Sequence, residues 1–342
     1  MKNTKDLNDK LLQSIDKTYP IGLAQGQMGI CLYFFYLSRI EQEPKYKILA
    51  EDLLKNTLDK LSLDLSIGVE SGLAGVALGV IQLIKDDFVE GDINELLEEI
   101  DNVVYKRLAF LSDGSFYKKN ELLYLLYYLS IRLDDQANED ELYIFQELII
   151  KVINLFYEGL NSDFFNEYYS FSVYQYHLPV FSYIFSKLLE QNFYNKKIYK
   201  ILEEFEYSII SRLPVLHANR LYLLCGILPL IPYMKNPQWG EYVILLRKEI
   251  SLSNILINEM KNKQIFVGNG LSMIYLLLYF LESNYPEYKV AYNPEEFYER
   301  IINSEAWISL FKHDYFFNIH SGLINGFLGV ELVLSHIKKH NK

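Results

Sequence analysis

Six histidines and two cysteines are the residues of this chain best suited to metal, nucleophilic or acid–base chemistry. Three histidines stand in informative surroundings: His177 in "YQYHLPVF", His217 in "VLHANRLYLLCGI" and His320 in "NIHSGLINGFLGV". Cys31 and Cys225 each lie inside an apolar run. That pattern fits buried thiols in a reducing compartment better than a disulfide. A glycan hydrolase would instead need two carboxylates about 5 to 10 Å apart. The candidate acids for that are Glu70, Asp113 and Glu121, and no motif ties two of them together.

The elements that must position these residues follow from a repeat. "GLAQGQMGICL" (22–32), "GVESGLAGVAL" (68–78) and "GLINGFLGVEL" (322–332) align without gaps as G-[LV]-x-x-G-x-x-G-[IV]-x-L. "NGLSMIYLL" (269–277) is a partial fourth copy. Between 68 and 266 lie three apolar runs without the glycines, at 121–133, 173–189 and 219–231. Each apolar run alternates with an amphipathic one, at 4–17, 46–62, 93–111, 141–160, 198–213, 241–260 and 294–311. The second kind carries apolar residues at helical spacing with charges opposite. Strand signals are nearly absent.

Helices that are apolar almost all round must be covered on every side. The last repeat is as apolar as the first and most like it, whereas an open solenoid ends in polar caps. These features predict an all-α fold, an α/α toroid of about seven inner and seven outer helices, in which the seventh inner helix packs beside the first. An open superhelix is the alternative. The whole chain, 1–342, reads as one such domain. Positions i, i+4 and i+7 lie close together on a helix. The glycines are therefore expected to form a bare strip, with Gly26 and Gly29 sharing a face even if Gly22 precedes the helix.

Composition narrows the partners. Net charge is −11, from 33 basic and 44 acidic residues, and the lysines are scattered. That argues against nucleic acid. "MKNTKDLNDKLLQSIDK" lacks a signal-peptide apolar region. "LYLLCGILPLIPYM" (221–234) is too short for a membrane span and holds two prolines. A cytoplasmic location is expected. Aromatics make up 15% of the residues, more than a core alone requires, so some can line a peptide or sugar groove.

The glycine motifs resemble those of the lanthionine synthetase C-like (LanC-like) proteins, which are α/α toroids of seven inner and seven outer helices. The resemblance covers the whole chain by repeat count and is specific in repeats one, two and seven. It implies a role in lanthipeptide biosynthesis, with a peptide substrate or a peptide-modifying enzyme as partner. The family's cyclases hold zinc with a cysteine of the fifth repeat and a Cys-His pair of the sixth. The metal activates a thiol for addition to a dehydroamino acid.

Carried over by repeat, the fifth-repeat cysteine position falls near His217. The Cys-His pair falls on Gly268 and Asn269, in "GNGLSMI". The resemblance thus implies a zinc-free member, with no cofactor expected, unless the ligands are displaced. An active cyclase would need His217, His320 and Cys225 to converge. His177 falls in the fourth repeat, where the family has an acid/base histidine, so His177 and His217 are the catalytic candidates. The third-repeat aspartate position falls near Phe116, with Asp113-Gly114 read as a turn. Candidate binding residues are His320, Asn269, Tyr176 and Tyr222. The plain alternative is a rim histidine at 320, a hydrogen-bonded core histidine at 177, and core packing for most of the aromatics.

Overall fold

A computed structural model describes residues 4–15, 20–62, 64–111, 117–135 and 139–340. Asp113, Gly114 and Phe116 lie outside the described residues. Seventeen α-helices and no strand occur among the described residues. In chain order they begin with α1 (Thr4–Ser14), α2 (Gln27–Glu41), α3 (Pro44–Leu58), α4 (Leu73–Lys85) and α5 (Ile93–Ala109). There follow α6 (Lys119–Asp134), α7 (Glu139–Tyr157), α8 (Leu178–Glu190), α9 (Asn195–Ile210) and α10 (His217–Ile227). Next are α11 (Gln238–Lys248), the single turn α12 (Leu252–Asn254) and α13 (Leu271–Asn284). The chain ends with α14 (Pro294–Ile302), α15 (Glu305–Lys312), α16 (Asp314–Ile319) and α17 (Phe327–His340). None is long and apolar enough to cross a membrane.

Two expected helices are interrupted. The 241–260 segment stops at Lys248, because Ser251 adopts an extended backbone and its hydroxyl accepts from Asn254 N at 3.4 Å. A π-turn (Ile255–Glu259) then completes it. The 294–311 segment breaks at Ser304, whose hydroxyl caps Trp307 N at 3.1 Å. Ser and Asn compete with the backbone in this way wherever their side chains can reach it.

The chain forms two compact units. The first comprises Met1–Phe110, Asn262–Val267 and Pro294–Lys342. In it α2 is buried nearly all round, from Gln27 through Phe35 and again at Leu37. By contrast α5 buries only Leu97, Ile100, Val103, Val104 and Leu108, a single helical stripe. Asp92 starts α5 by accepting from Asn94 N and Glu95 N at 2.8 and 3.1 Å.

The glycine repeats meet in this first unit, and they do so through their loops. Gly26 is the N-cap of α2, so Gly22 precedes the helix. A Cβ on Gly22 would stand 2.3 Å from Ser71 Cα, and one on Gly322 would stand 2.7 Å from Ala24 O. Leu323 N donates to Ala24 O at 2.9 Å, and Ala24 N donates to Glu70 O at 2.9 Å. The loop of the last repeat thus rests on that of the first, and the first on the second. Gly29, Gly75 and Gly329 admit the carbonyls of Leu23, Val69 and Leu323, each from the helix's own entry loop. The expected bare strip along a helix face is instead a tight loop that folds back on the first helical turn. The expected pairing of the last glycine-led helix with the first does form: α17 packs on α2, with Phe327 edge-on to Tyr33 at 6.1 Å.

The second unit comprises Leu111–Lys261 and Gly268–Asn293. Here α8 packs against α6 and α10, and α10 packs against α13. The expected apolar helix at 173–189 begins only at Leu178. Pro179 occupies its first turn, where a missing N–H is tolerated. The expected helix at 219–231 is α10, continued by a 3₁₀ turn over Leu228–Tyr233 that contains Pro232.

Candidate functional site

The candidate ligand positions lie in the second unit, around the start of α10. A helix N-terminus leaves its first N–H groups without intrahelical partners. Here two carboxylates from other segments supply them. Glu259, ending the π-turn, accepts from His217 N at 2.7 Å and Ala218 N at 2.8 Å. Glu167 accepts from Val215 N, from Leu216 N at 3.4 Å and from Asn219 Nδ2 at 2.8 Å. Negative charge at this helix end is favourable, and these carboxylates occupy the anion site themselves.

The direction of α13 follows from two anchors. Glu259, shortly before α13, meets the start of α10, and Cys225 Sγ donates to Leu277 O at 3.6 Å further along both helices. The two helices therefore run parallel, with an offset of 52 residues at that bond.

The imidazole of His217 is held on one side. Its Nδ1 lies 2.8 Å from Glu249 O, 3.0 Å from Arg220 Nη1 and 3.2 Å from Ser251 N. Arg220 Nη1 also donates to Glu249 O at 2.8 Å. Arginine and a backbone N–H can only donate. A backbone carbonyl can only accept, so Nδ1 is engaged by a neighbour in either tautomer of the ring. A guanidinium this close opposes a metal cation on the ring. Gly268 offers no side chain; its carbonyl accepts from Val173 N at 3.0 Å. Asn269 offers an amide oxygen that is buried without a partner among the described residues. Structural and catalytic zinc sites rest on thiolate, imidazole and carboxylate donors in tetrahedral array. An engaged imidazole, a bare backbone and an amide do not fit that requirement. Among the described residues, no group of three or more His, Cys, Asp or Glu is placed to hold a metal ion.

His177 sits elsewhere on the same wall. Pro179 packs on Gly226, and Tyr176 meets Tyr222, so the start of α8 lies about two turns beyond the start of α10. The His177 ring stacks on Phe164, with centroids 4.9 Å apart and planes at 18°. Burial lowers its pKa below the usual 6.5, and its Nδ1 is buried without a partner among the described residues. Tyr176 and Tyr222 are 3% and 7% exposed and meet edge-on at 6.5 Å. Burial pushes both phenols well above their ordinary range. Cys225 lies two turns beyond His217, and burial raises its thiol.

His320, in the first unit, lies between Phe266 and Phe316, at 4.4 and 4.5 Å, with Nδ1 2.8 Å from Asn325 O. Of the three acids considered for glycan chemistry, Glu121 spends its carboxylate on Lys118 N at 3.0 Å, capping α6. The backbone carbonyl of Glu70 takes part in the loop contact with Ala24. Asp113 is outside the described residues.

Sequence reasoning missed Glu167, Glu259 and Arg220. Arg220 could have been found, since i and i+3 share a helix face. The two glutamates reach α10 from segments 41 to 52 residues away, and nothing local marks them.

No family model and no curated protein matches the chain. Among solved structures it is similar to nisin cyclase, with a TM-score of 0.58 and 15% sequence identity, over 98% of this chain and 94% of that one. At this identity the likeness shows the fold alone. The chain is all-α with the fold of nisin cyclase, as the glycine repeats led us to expect.

Proposed function

We propose that this chain is a divergent LanC-like protein that serves ribosomal peptide modification of the lanthipeptide type, binding a peptide or a peptide-modifying enzyme without zinc-dependent cyclisation. The observation that carries this reading is the donor set at 217, 268 and 269. At the positions that the resemblance assigns to a zinc thiolate centre stand an imidazole engaged by its neighbours, a bare backbone and an amide, and their chemistry is wrong for such a centre. The fold likeness to nisin cyclase supports the peptide-modification setting.

On this reading the α10 entrance is a braced structural corner. Glu167 and Glu259 neutralise the helix end, and Arg220 holds His217 against the 249–251 backbone. Neither carboxylate is left to act as a general base, because each already accepts two or more N–H donors.

The test is metal analysis of the purified protein, together with incubation with a dehydrated, cysteine-containing peptide. Zinc well below one equivalent and no loss of free thiol are expected. Stoichiometric zinc that disappears in His217→Ala would overturn the proposal and favour an active cyclase with displaced ligands.

A further inference from the structure

A cavity of about 460 Å³ opens in the second unit between the end of α9 and the 165–178 segment. Four side chains with hydrogen-bond donors line it: Asn166, Tyr176, Ser208 and Arg212, of which Asn166 Nδ2 already donates to Asp163 Oδ1 at 3.2 Å. Arg212 spends Nη1 on Asn166 Oδ1 at 2.6 Å, and Nε and Nη2 have no partner among the described residues. The hydroxyls of Ser208 and Tyr176 likewise make no hydrogen bond to a described protein atom. Tyr176 is only 3% exposed as a residue and lines this space.

Glu167 also lines this space, but its two oxygens already accept from Val215 N, Leu216 N and Asn219 Nδ2. Apart from Asn166, the remaining lining is apolar, with Phe165, Leu178 and Leu213 among it.

We infer that this cavity binds a carboxylate carried on an apolar body, the acidic side chain or the chain end of a peptide. A guanidinium edge with two free N–H groups matches a carboxylate in geometry and charge. The two hydroxyls supply further donors, and the apolar lining takes the flanking side chains. The peptide class rests on the functional reading above; the preference for a carboxylate rests on the cavity alone.

The experiment is calorimetric titration of the full chain with four short probes at low ionic strength. Two carry an acid: acetyl-Leu-Glu-Leu-amide, with an internal carboxylate, and acetyl-Leu-Leu-Leu with a free terminus. Their neutral twins are acetyl-Leu-Gln-Leu-amide and acetyl-Leu-Leu-Leu-amide. Saturable binding of at least one acid, about tenfold or more tighter than its twin, is expected. Which acid binds tells side chain from chain end. Arg212→Gln should weaken that binding by about tenfold or more, and Tyr176→Phe by several-fold, with thermal unfolding of both variants near that of the parent. Acids that bind no better than their twins, or binding indifferent to Arg212→Gln, would overturn the inference. Either result leaves the metal and cyclisation test untouched, and stoichiometric zinc would in turn leave a carboxylate titration standing.

Discussion

Gly22 and Gly68 hold the same position of the glycine motif, yet alanine should affect them very differently. At Gly22 the new Cβ would lie 2.3 Å from Ser71 Cα and 2.7 Å from Glu70 O, all backbone atoms of the next repeat's loop. Carbon atoms pack at about 3.5 to 4.0 Å, so the loops must part by more than ~1 Å. Overpacking of this kind costs about 1 to 3 kcal/mol. The parting also strains the Ala24 N to Glu70 O hydrogen bond, worth about 1 kcal/mol net. Reduced freedom of the unfolded chain returns about 0.4 to 1 kcal/mol. The balance is a loss of roughly 2 to 3 kcal/mol for Gly22→Ala. At Gly68 the nearest atom is Ser66 Oγ at 3.4 Å, an ordinary contact. Gly68→Ala should therefore change stability by about 0.5 kcal/mol or less. Thermal unfolding followed by circular dichroism reads the difference. The midpoint should fall by roughly 3 to 4 °C in the first variant and stay within about 1 °C in the second. Equal shifts would refute the claim that Gly22, unlike Gly68, serves the approach of the neighbouring loop.

Two further outcomes follow from burial. The imidazole of His177 should titrate below 6.5 by NMR. Because the unfolded chain then takes up the proton more readily, its contribution to stability is full above about 6.5 and lost as pH falls below that. His177→Gln should flatten this part of the profile, with the remaining slope from His336, which burial and His340 also hold low; a His177 midpoint at or above 6.5 would contradict the buried, stacked placement. Cys31 and Cys225 donate to Ala50 O and Leu277 O, and burial raises both thiols. Neither should react with a thiol reagent at neutral pH until denaturant is added, and rapid native labelling would show that one of them is accessible.

Hydrophobic period and glycine spacing are local properties, so they were legible along the chain. They led to an all-α fold, to the number and order of the main helices, and to the pairing of the last glycine-led helix with the first. The missing donor types at Gly268 and Asn269 were equally plain, because a residue's identity needs no coordinates. Helix ends were less legible. Ser251 and Ser304 end or start helices through side-chain bonds that compete with a strong apolar period.

What only the tertiary structure decided are the meetings of distant segments. Gly22 looked like part of a smooth helical face until Ser71 and Glu70 were seen against it. His217 looked like a lone candidate ligand until Arg220, Glu249 and Ser251 were found around its Nδ1. Glu167 and Glu259 carry no motif, and their roles arise because one helix end collects carboxylates from two other turns of the chain. The physical reason is common to all three cases. Burial pattern is written residue by residue, whereas the partner of a buried N–H, a ring nitrogen or an absent Cβ is whatever the fold brings within about 3 Å.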